Sequence, residues 1–189
     1  MQGIKGAVAD WLIREAVIEE SERELYEYAV HSLFMLIAPL FMAIVIGMFF
    51  GELGMSMVLI LPFMVIRKYS GGYHAKRQWV CLLLSAALLL VCFLLAERSQ
   101  AGIVLSVVVC VAALSLAAFS PVDSQNRRLT QEECMSYGRT CKILVAVFVV
   151  LYFLLLVGNA DTCATYLAYG IILPAVLQLP CVSAKCSKK

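Results

Sequence analysis

A histidine and a cysteine lie seven residues apart where a basic segment enters a hydrophobic stretch. His74 and Cys81 belong to the sequence RKYSGGYHAKRQWVC, which occupies residues 67 to 81. A cysteine attacks as its thiolate, and a neighbouring histidine or cationic side chain lowers the pKa of the thiol. These residue types therefore predict the nucleophile and the general base of a covalent mechanism at a membrane surface.

The seven-residue spacing requires a turn between the two side chains. In a continuous helix, residues that far apart are separated by about 10 Å along the axis, which is too far for a hydrogen bond. Gly71 and Gly72 permit backbone angles that would fold the segment back, although they would equally suit the end of the preceding helix. The segment holds no Asp or Glu to orient His74, and a His near a Cys also arises by composition alone. The pair by itself does not decide the function.

The whole chain has the composition of an integral membrane protein. It has 189 residues, of which 62% are hydrophobic, and a mean hydropathy of +0.90. A helix needs about 20 mostly apolar residues to span the hydrocarbon core. The short segment 54–66 would be a tilted helix, a re-entrant element or the tail of one long bent helix. We predict an all-α polytopic membrane protein with about six transmembrane helices, over residues 32–51, 54–66, 80–96, 101–119, 143–159 and 163–180.

The basic residues favour six crossings with both termini in the cytoplasm. Under this topology, all of the 15 Lys and Arg residues except Arg98 fall on the cytoplasmic side, as the positive-inside rule expects. A cytoplasmic loop also keeps the Cys81 thiol reduced. The net charge of +2 does not indicate a nucleic-acid partner, and the cysteine spacings do not indicate a metal site. No cofactor is expected.

Three segments divide the chain. Residues 1–31 are predicted to form an amphipathic helix on the cytoplasmic face, residues 32–180 the transmembrane domain, and residues 181–189 a basic cytoplasmic tail. The polar side of the predicted N-terminal helix is acidic, whereas helices that bind anionic lipid usually have a basic polar side. This helix therefore either contacts protein or presents a charged face to solvent. Its apolar residues recur at helical spacings, at Ile4, Val8, Trp11, Ile18, Leu25 and Ala29.

The segment 67–81 closely resembles the signature of the AgrB family, the membrane peptidases that process autoinducing-peptide precursors in bacterial quorum sensing. Arg67, Gly72, His74 and Cys81 stand at the relative spacing of that signature. A second loop, SPVDSQNRRL at residues 120–129, is similar to the family's loop of proline and basic residues. The charged N-terminal segment and the hydrophobic segments around the site also resemble the family.

The resemblance implies a cysteine endopeptidase that cuts an AgrD-like propeptide on its C-terminal side and helps to close the remaining piece into a ring. Cys81 would attack the scissile carbonyl and form a thioester, with His74 as base and then acid. A substrate thiol would give a thiolactone, and a substrate hydroxyl a lactone. Arg67 would stabilise the oxyanion or a substrate carboxylate. Arg127 and Arg128 would bind an acidic part of the propeptide, although basic residues in cytoplasmic loops also serve topology alone.

By the same resemblance, Gly72 belongs to the substrate-binding residues, and the enzyme is a homodimer in the bacterial cell membrane with its active site facing the cytoplasm. Two other classes of protein remain open: a small exporter of the mature peptide and a membrane scaffold without chemistry. An exporter would carry ionisable residues along its path, and the spans after residue 80 lack them apart from the turn at Glu97 and Arg98. A scaffold would be expected to lose His74 or Cys81.

Overall fold

The chain is helical through most of the part that its structure describes. A computed structural model describes residues 2–15, 17–71, 78–122 and 130–186. Its α-helices are α1 (Gln2–Arg14), α2 (Arg23–Phe50), α3 (Leu53–Ser70), α4 (Gln78–Arg98), α5 (Ile103–Phe119), α6 (Gln131–Val157) and α7 (Asp161–Cys186), with a short 3-10 helix at Glu20–Glu22. The prediction of an all-α fold is confirmed.

The helices α2 to α7 follow the six predicted membrane segments in order. Two whole helices, α3 and α6, and residues Asp161–Leu179 of α7 are long and apolar enough to cross a membrane, while Leu36–Phe50 and Ile103–Phe119 are shorter apolar helices. The chain is therefore a polytopic membrane protein. Helix α7 continues to Cys186, into the segment predicted as a tail.

The short segment 54–66 forms a helix of its own. It lies within α3, which has 18 residues because the helix continues through Arg67 and Lys68 to Ser70. Gly51 separates α3 from α2 with a φ of +74°, an angle that glycine adopts without strain. The segment is therefore not the tail of one long bent helix.

Residues Met1–Phe41 form one of two compact units. The predicted N-terminal helix is present as α1, but it ends at Arg14, and the 3-10 helix and the first turns of α2 complete the segment 1–31. Within this unit Ala9 is fully buried, whereas Trp11 is 56% exposed. The aromatic side chain of Trp11 therefore lies largely at the surface.

One arginine joins α1 to the start of α2. The guanidinium of Arg23 lies 2.6 Å from the carboxylate of Asp10, 3.0 Å from that of Glu20 and 3.2 Å from that of Glu27. The hydrogen bonds to Glu20 and Glu27 raise the pKa of Arg23. All four side chains are substantially exposed, and ion pairs at such positions contribute little to stability.

Residues Met42–Lys189 form the second unit, in which α7 is the central helix. Helix α7 packs against α3, α4, α5 and α6. Buried residues lie on most sides of α7, as expected for a helix that packs against four others, and they include Ala164, Thr165, Tyr166, Leu167, Ala168, Ile171, Leu173, Ala175 and Gln178.

Helices α3 and α7 approach each other closely at Gly170. A Cβ atom at this position would lie 2.5 Å from the carbonyl oxygen of Leu59 and 2.5 Å from Cγ of Pro62. Small residues allow helix backbones to meet in this way in membrane proteins, where van der Waals packing drives helix association. The contact fixes α3 against the central helix, and the end of α3 leads into the segment 67–81.

Candidate functional site

The two basic loops leave the helices at one place. Gly71, directly after α3, forms a parallel β-bridge with Val122, three residues after the end of α5. The backbone N–H of Val122 donates a hydrogen bond to the carbonyl oxygen of Ser70, with an N–O distance of 2.9 Å. The loop that contains His74 and the loop that contains Arg127 therefore begin side by side.

Gly71 is suited to this bridge because it lacks a side chain. Its φ is +70°, and a Cβ atom would collide with the carbonyl oxygen of Val122. Its N–H donates to the carbonyl oxygen of Arg67 at 3.2 Å and so ends the helix. Of the two roles that the sequence left open for this glycine, the end of the preceding helix is the one observed.

Cys81 lies in the first turn of α4, three residues after the helix begins at Gln78. The first turn of a helix presents unpaired backbone N–H groups and the positive end of the helix dipole. A partial positive charge of this kind stabilises a nearby anion. The backbone position of Cys81 is thus favourable for a nucleophile.

Several predicted site residues lie outside the described part of the chain. They are Gly72, His74, Arg127 and Arg128. The approach of His74 to Cys81 and the binding roles of Gly72 and of the two arginines stay predictions. What the structure adds is the common base from which the two loops start.

Arg67 lies in the last turn of α3, one turn before the bridge. Its guanidinium carbon lies 6.0 Å from the centroid of the Phe63 ring, which is within reach of a cation–π interaction. Its Nη1 atom is buried, and a cation in the last turn complements the negative end of the helix dipole. The side chain is therefore held at the end of α3.

The residues that hold the base of the second loop were not predicted from the sequence. Gln178 of α7 is 2% exposed, and its Nε2 atom donates to Oγ of Ser120 at 3.1 Å. Gly138 of α6 lies beside the same segment, where an added Cβ would be 3.3 Å from Cδ of Pro121. A signal was present, because Gln178 is the polar residue in the apolar run IILPAVLQL.

An open apolar groove lies away from this site. It has a volume of about 580 Å³ and lies between the first half of α5 and the last part of α6. The second loop connects the end of α5 to the start of α6, and these are the opposite ends of the two helices. The groove is therefore not part of the candidate site, and its lining consists of Gly102, Ile103, Ser106, Val107, Cys110, Val111, Phe153 and Leu156.

These features define a class: an all-α polytopic membrane protein with a cysteine in the first turn of a helix and with two basic loops whose bases are joined. The sequence model of the family Accessory gene regulator B (AgrB) matches residues 6–180. Because this match covers most of the chain, the chain belongs to the AgrB family.

Two relatives from Clostridium perfringens agree with this assignment. AgrB-like protein 2 of strain 13 / Type A is 21% identical over 141 residues, and the AgrB-like protein of strain SM101 / Type A is 20% identical over 141 residues. Each match covers 70% of this chain and 66% of the relative, so the matched region falls just short of two thirds of the relatives' length. No solved structure matches the chain significantly.

Proposed function

We propose that this chain is a membrane-embedded cysteine endopeptidase that removes the C-terminal part of an AgrD-like autoinducing-peptide precursor and promotes cyclisation of the remainder. The observation that carries the proposal is the position of Cys81 in the first turn of α4, in a chain of the AgrB family. The shared base of the two basic loops at Gly71 and Val122 supports it.

The proposed reaction begins with proton transfer from Cys81 to His74. The Cys81 thiolate attacks the scissile carbonyl carbon, and the C–N bond then breaks as His74 returns the proton to the departing amine. The products of this step are the free C-terminal fragment and a thioester between Cys81 and the N-terminal fragment. A thiol or hydroxyl of that fragment next attacks the thioester carbonyl, transfers its proton and releases Cys81, which gives a thiolactone or a lactone.

Electrostatics at the helix ends supports the first step. The N-terminal turn of α4 stabilises negative charge on Cys81, because backbone N–H groups there have no partner within the helix. Arg67, held at the end of α3, would stabilise the oxyanion or bind a substrate carboxylate. Arg127 and Arg128 would bind an acidic part of the propeptide through charge-assisted hydrogen bonds.

The second step requires protection of the thioester from water. Water exclusion favours attack by a nucleophile within the same peptide over hydrolysis. A site at the ends of membrane helices, next to the hydrocarbon region, provides that exclusion for a peptide bound at the bilayer surface. The cytoplasmic orientation of the site and a homodimeric assembly in the bacterial cell membrane form part of the proposal.

Export of the mature peptide is the alternative function. Charged residues within the apolar parts of the helices would mark a transport path. The stretches 36–50, 53–66, 83–96, 103–119, 143–157 and 162–179 contain no Asp, Glu, Lys or Arg. This composition favours the peptidase over the exporter, and the presence of both His74 and Cys81 favours it over a scaffold without chemistry.

A cleavage assay tests the proposal. The protein is purified and reconstituted in liposomes with a synthetic AgrD-like propeptide, and the fragments are measured by mass spectrometry. We expect Cys81→Ala to abolish cleavage and His74→Ala to slow it by about 100-fold or more, the size of a general-base contribution. Cys110→Ala is the matched control, because this exposed thiol on α5 lines the distant groove, and it should retain wild-type cleavage. Cleavage that persists in Cys81→Ala contradicts the proposal.

A further inference from the structure

The proposed mechanism leaves a buried glutamine of α7 without a role. The side chain of Gln178 is 2% exposed and belongs to the last part of an apolar helix that is able to cross a membrane. Burial of an amide among apolar side chains costs free energy unless its polar atoms are paired. Polar residues retained inside membrane segments commonly serve a function, and the contacts of Gln178 indicate which one.

The amide of Gln178 connects α7 to the start of the second loop. Its Nε2 atom donates to Oγ of Ser120 at 3.1 Å, and Ser120 directly follows α5. Within the described residues, no donor reaches its buried Oε1 atom. The hydrogen bond to Ser120 is therefore the polar contact that the structure gives for this side chain.

Ser120 is held from a second direction by α6. The side chain of Cys141, on α6, is fully buried. At Gly138, one turn earlier on α6, an added Cβ would lie 3.5 Å from the carbonyl oxygen of Ser120. Helices α6 and α7 therefore hold the segment that follows α5.

The same segment reaches the end of α3 two residues later. The N–H of Val122 donates to the carbonyl oxygen of Ser70 at 2.9 Å, and Val122 bridges Gly71. Ser70 is fully buried. A continuous path of contacts thus runs from Gln178 through Ser120 and Val122 to the residue at which the loop with His74 begins.

We propose that Gln178 is a positioning residue of the peptidase, an inference that rests on the proposed function. Through its bond to Ser120 it holds the segment 120–122 against the end of α3 and so sets where both basic loops begin. Gln178 itself takes no part in forming or breaking covalent bonds. Its removal displaces groups that must meet the scissile carbonyl, and small displacements of this kind reduce the chemical rate more than substrate affinity.

Thr165 provides a matched control on the same helix. It is also 2% exposed, but its Oγ1 atom donates to the carbonyl oxygen of Asp161 within α7 at 2.9 Å. Loss of this hydroxyl removes a buried hydrogen bond of α7 without affecting the loops. Thr165→Val therefore separates a general loss of helix stability from the specific effect of Gln178.

The experiment compares wild type, Gln178→Leu, Ser120→Ala, the double variant and Thr165→Val in liposomes with a synthetic AgrD-like propeptide. We expect kcat to fall about ten-fold or more in both single variants, with KM changed less than two-fold. The double variant should be no slower than the slower single variant, because both changes remove one bond. Thr165→Val should stay within two-fold of wild type. Amide hydrogen exchange of Val122 should accelerate in Gln178→Leu and not in Thr165→Val.

The outcomes separate this inference from the proposed function. If wild type cleaves and Gln178→Leu keeps its kcat within two-fold, or if the two single effects multiply in the double variant, the positioning role is overturned. If cleavage does not depend on Cys81, the peptidase proposal fails, and Val122 exchange alone then decides whether Gln178 holds the loop base. If Gln178→Leu does not fold, Gln178→Met, which preserves the side-chain length, replaces it in the experiment with the same expected results.

Discussion

Both ends of the second unit contain hydrogen bonds that connect separate elements, but the bonds at one end join pairs of side chains, whereas those at the other end reach the bases of loops. At the end away from the loops, side chains pair with side chains: Ser106 with Tyr152 at 3.0 Å, and Ser99 with Tyr169 at 2.8 Å. At the loop end, the side chain of Gln178 donates a hydrogen bond to the base of one loop, and a backbone hydrogen bond joins that base to the base of the other loop.

The hydrogen bonds at one end stabilise helix packing, whereas those at the other end also set the positions of the loop bases. A hydroxyl pair between helices satisfies polar groups and stabilises the helix contact, and it has no effect beyond that contact. A hydrogen bond to the start of a loop also sets where the next residues begin. We therefore expect substitutions at the loop end to change activity more than stability, and substitutions at the other end to change stability alone.

Gly71→Ala should have the largest effect on activity. The new Cβ would collide with the carbonyl oxygen of Val122, and a φ of +70° is unfavourable for alanine. We expect propeptide cleavage to fall by about 100-fold, since small displacements of reacting groups have effects of that size. The measurement is the cleavage rate in liposomes.

Gly102→Ala is the matched glycine control at the other end. Its backbone is extended, with a φ of −176°, and an added Cβ would meet no atom of the described chain within 4 Å. Its cleavage rate should equal that of wild type. Equal losses of activity in Gly71→Ala and Gly102→Ala would show that the two ends do not differ in the way described.

Gly170→Ala should have the largest effect on stability. It inserts a methyl group between α7 and α3, where Leu59 and Pro62 leave no space. Overpacking of this kind typically costs about 1–3 kcal/mol. The melting temperature in detergent should fall, and kcat of the protein that remains folded should stay within a few-fold of wild type. An unchanged melting temperature would contradict the close approach of the two helices.

Tyr152→Phe should have a smaller effect, confined to stability. The change removes the hydroxyl that pairs with Ser106 and keeps the buried ring. The expected loss is about 0.5–1.5 kcal/mol, the net value of a typical hydrogen bond. Thermal unfolding measures this loss, and parallel cleavage assays should show no change. A large loss of activity would mean that the far end also contributes to the site.

Thr130→Ala should have the smallest effect among these changes. Thr130 and Glu133 form a reciprocal capping box at the start of α6, with bonds of 3.3 Å and 3.0 Å. Loss of an N-cap side chain costs about 1 kcal/mol, and the exposed end of a helix allows water to replace part of it. Helix content and melting temperature measure the effect, and Thr130→Ser should restore the wild-type values.

Much of the fold could be predicted from the sequence because hydropathy reports length and burial directly. The six apolar segments correspond to α2 through α7. The helices run beyond these apolar segments where charged residues continue them. Arg67 and Lys68 extend α3, and α6 begins at Gln131, well before residue 143. Basic side chains of this type are good helix formers and reach the water from a membrane end.

Only part of the predicted site lies within the residues that the structure describes. Cys81 lies at a helix start, as its place at the edge of an apolar run indicated, and Gly71 ends a helix. The bond between Gln178 and Ser120 joins residues 58 positions apart, and periodicity within a segment carries no information about such pairs. The joining of the two loop bases is likewise a tertiary contact, which a single sequence does not specify.

The central claim is that Cys81 forms a covalent bond to the propeptide. The most direct test is to mix the reconstituted protein with a synthetic AgrD-like propeptide, stop the reaction with acid, and measure the intact mass of the protein. We predict an added mass equal to the N-terminal fragment, located on Cys81, removed by hydroxylamine and absent from Cys81→Ala. Cleavage of the propeptide by Cys81→Ala at the wild-type rate would contradict the account.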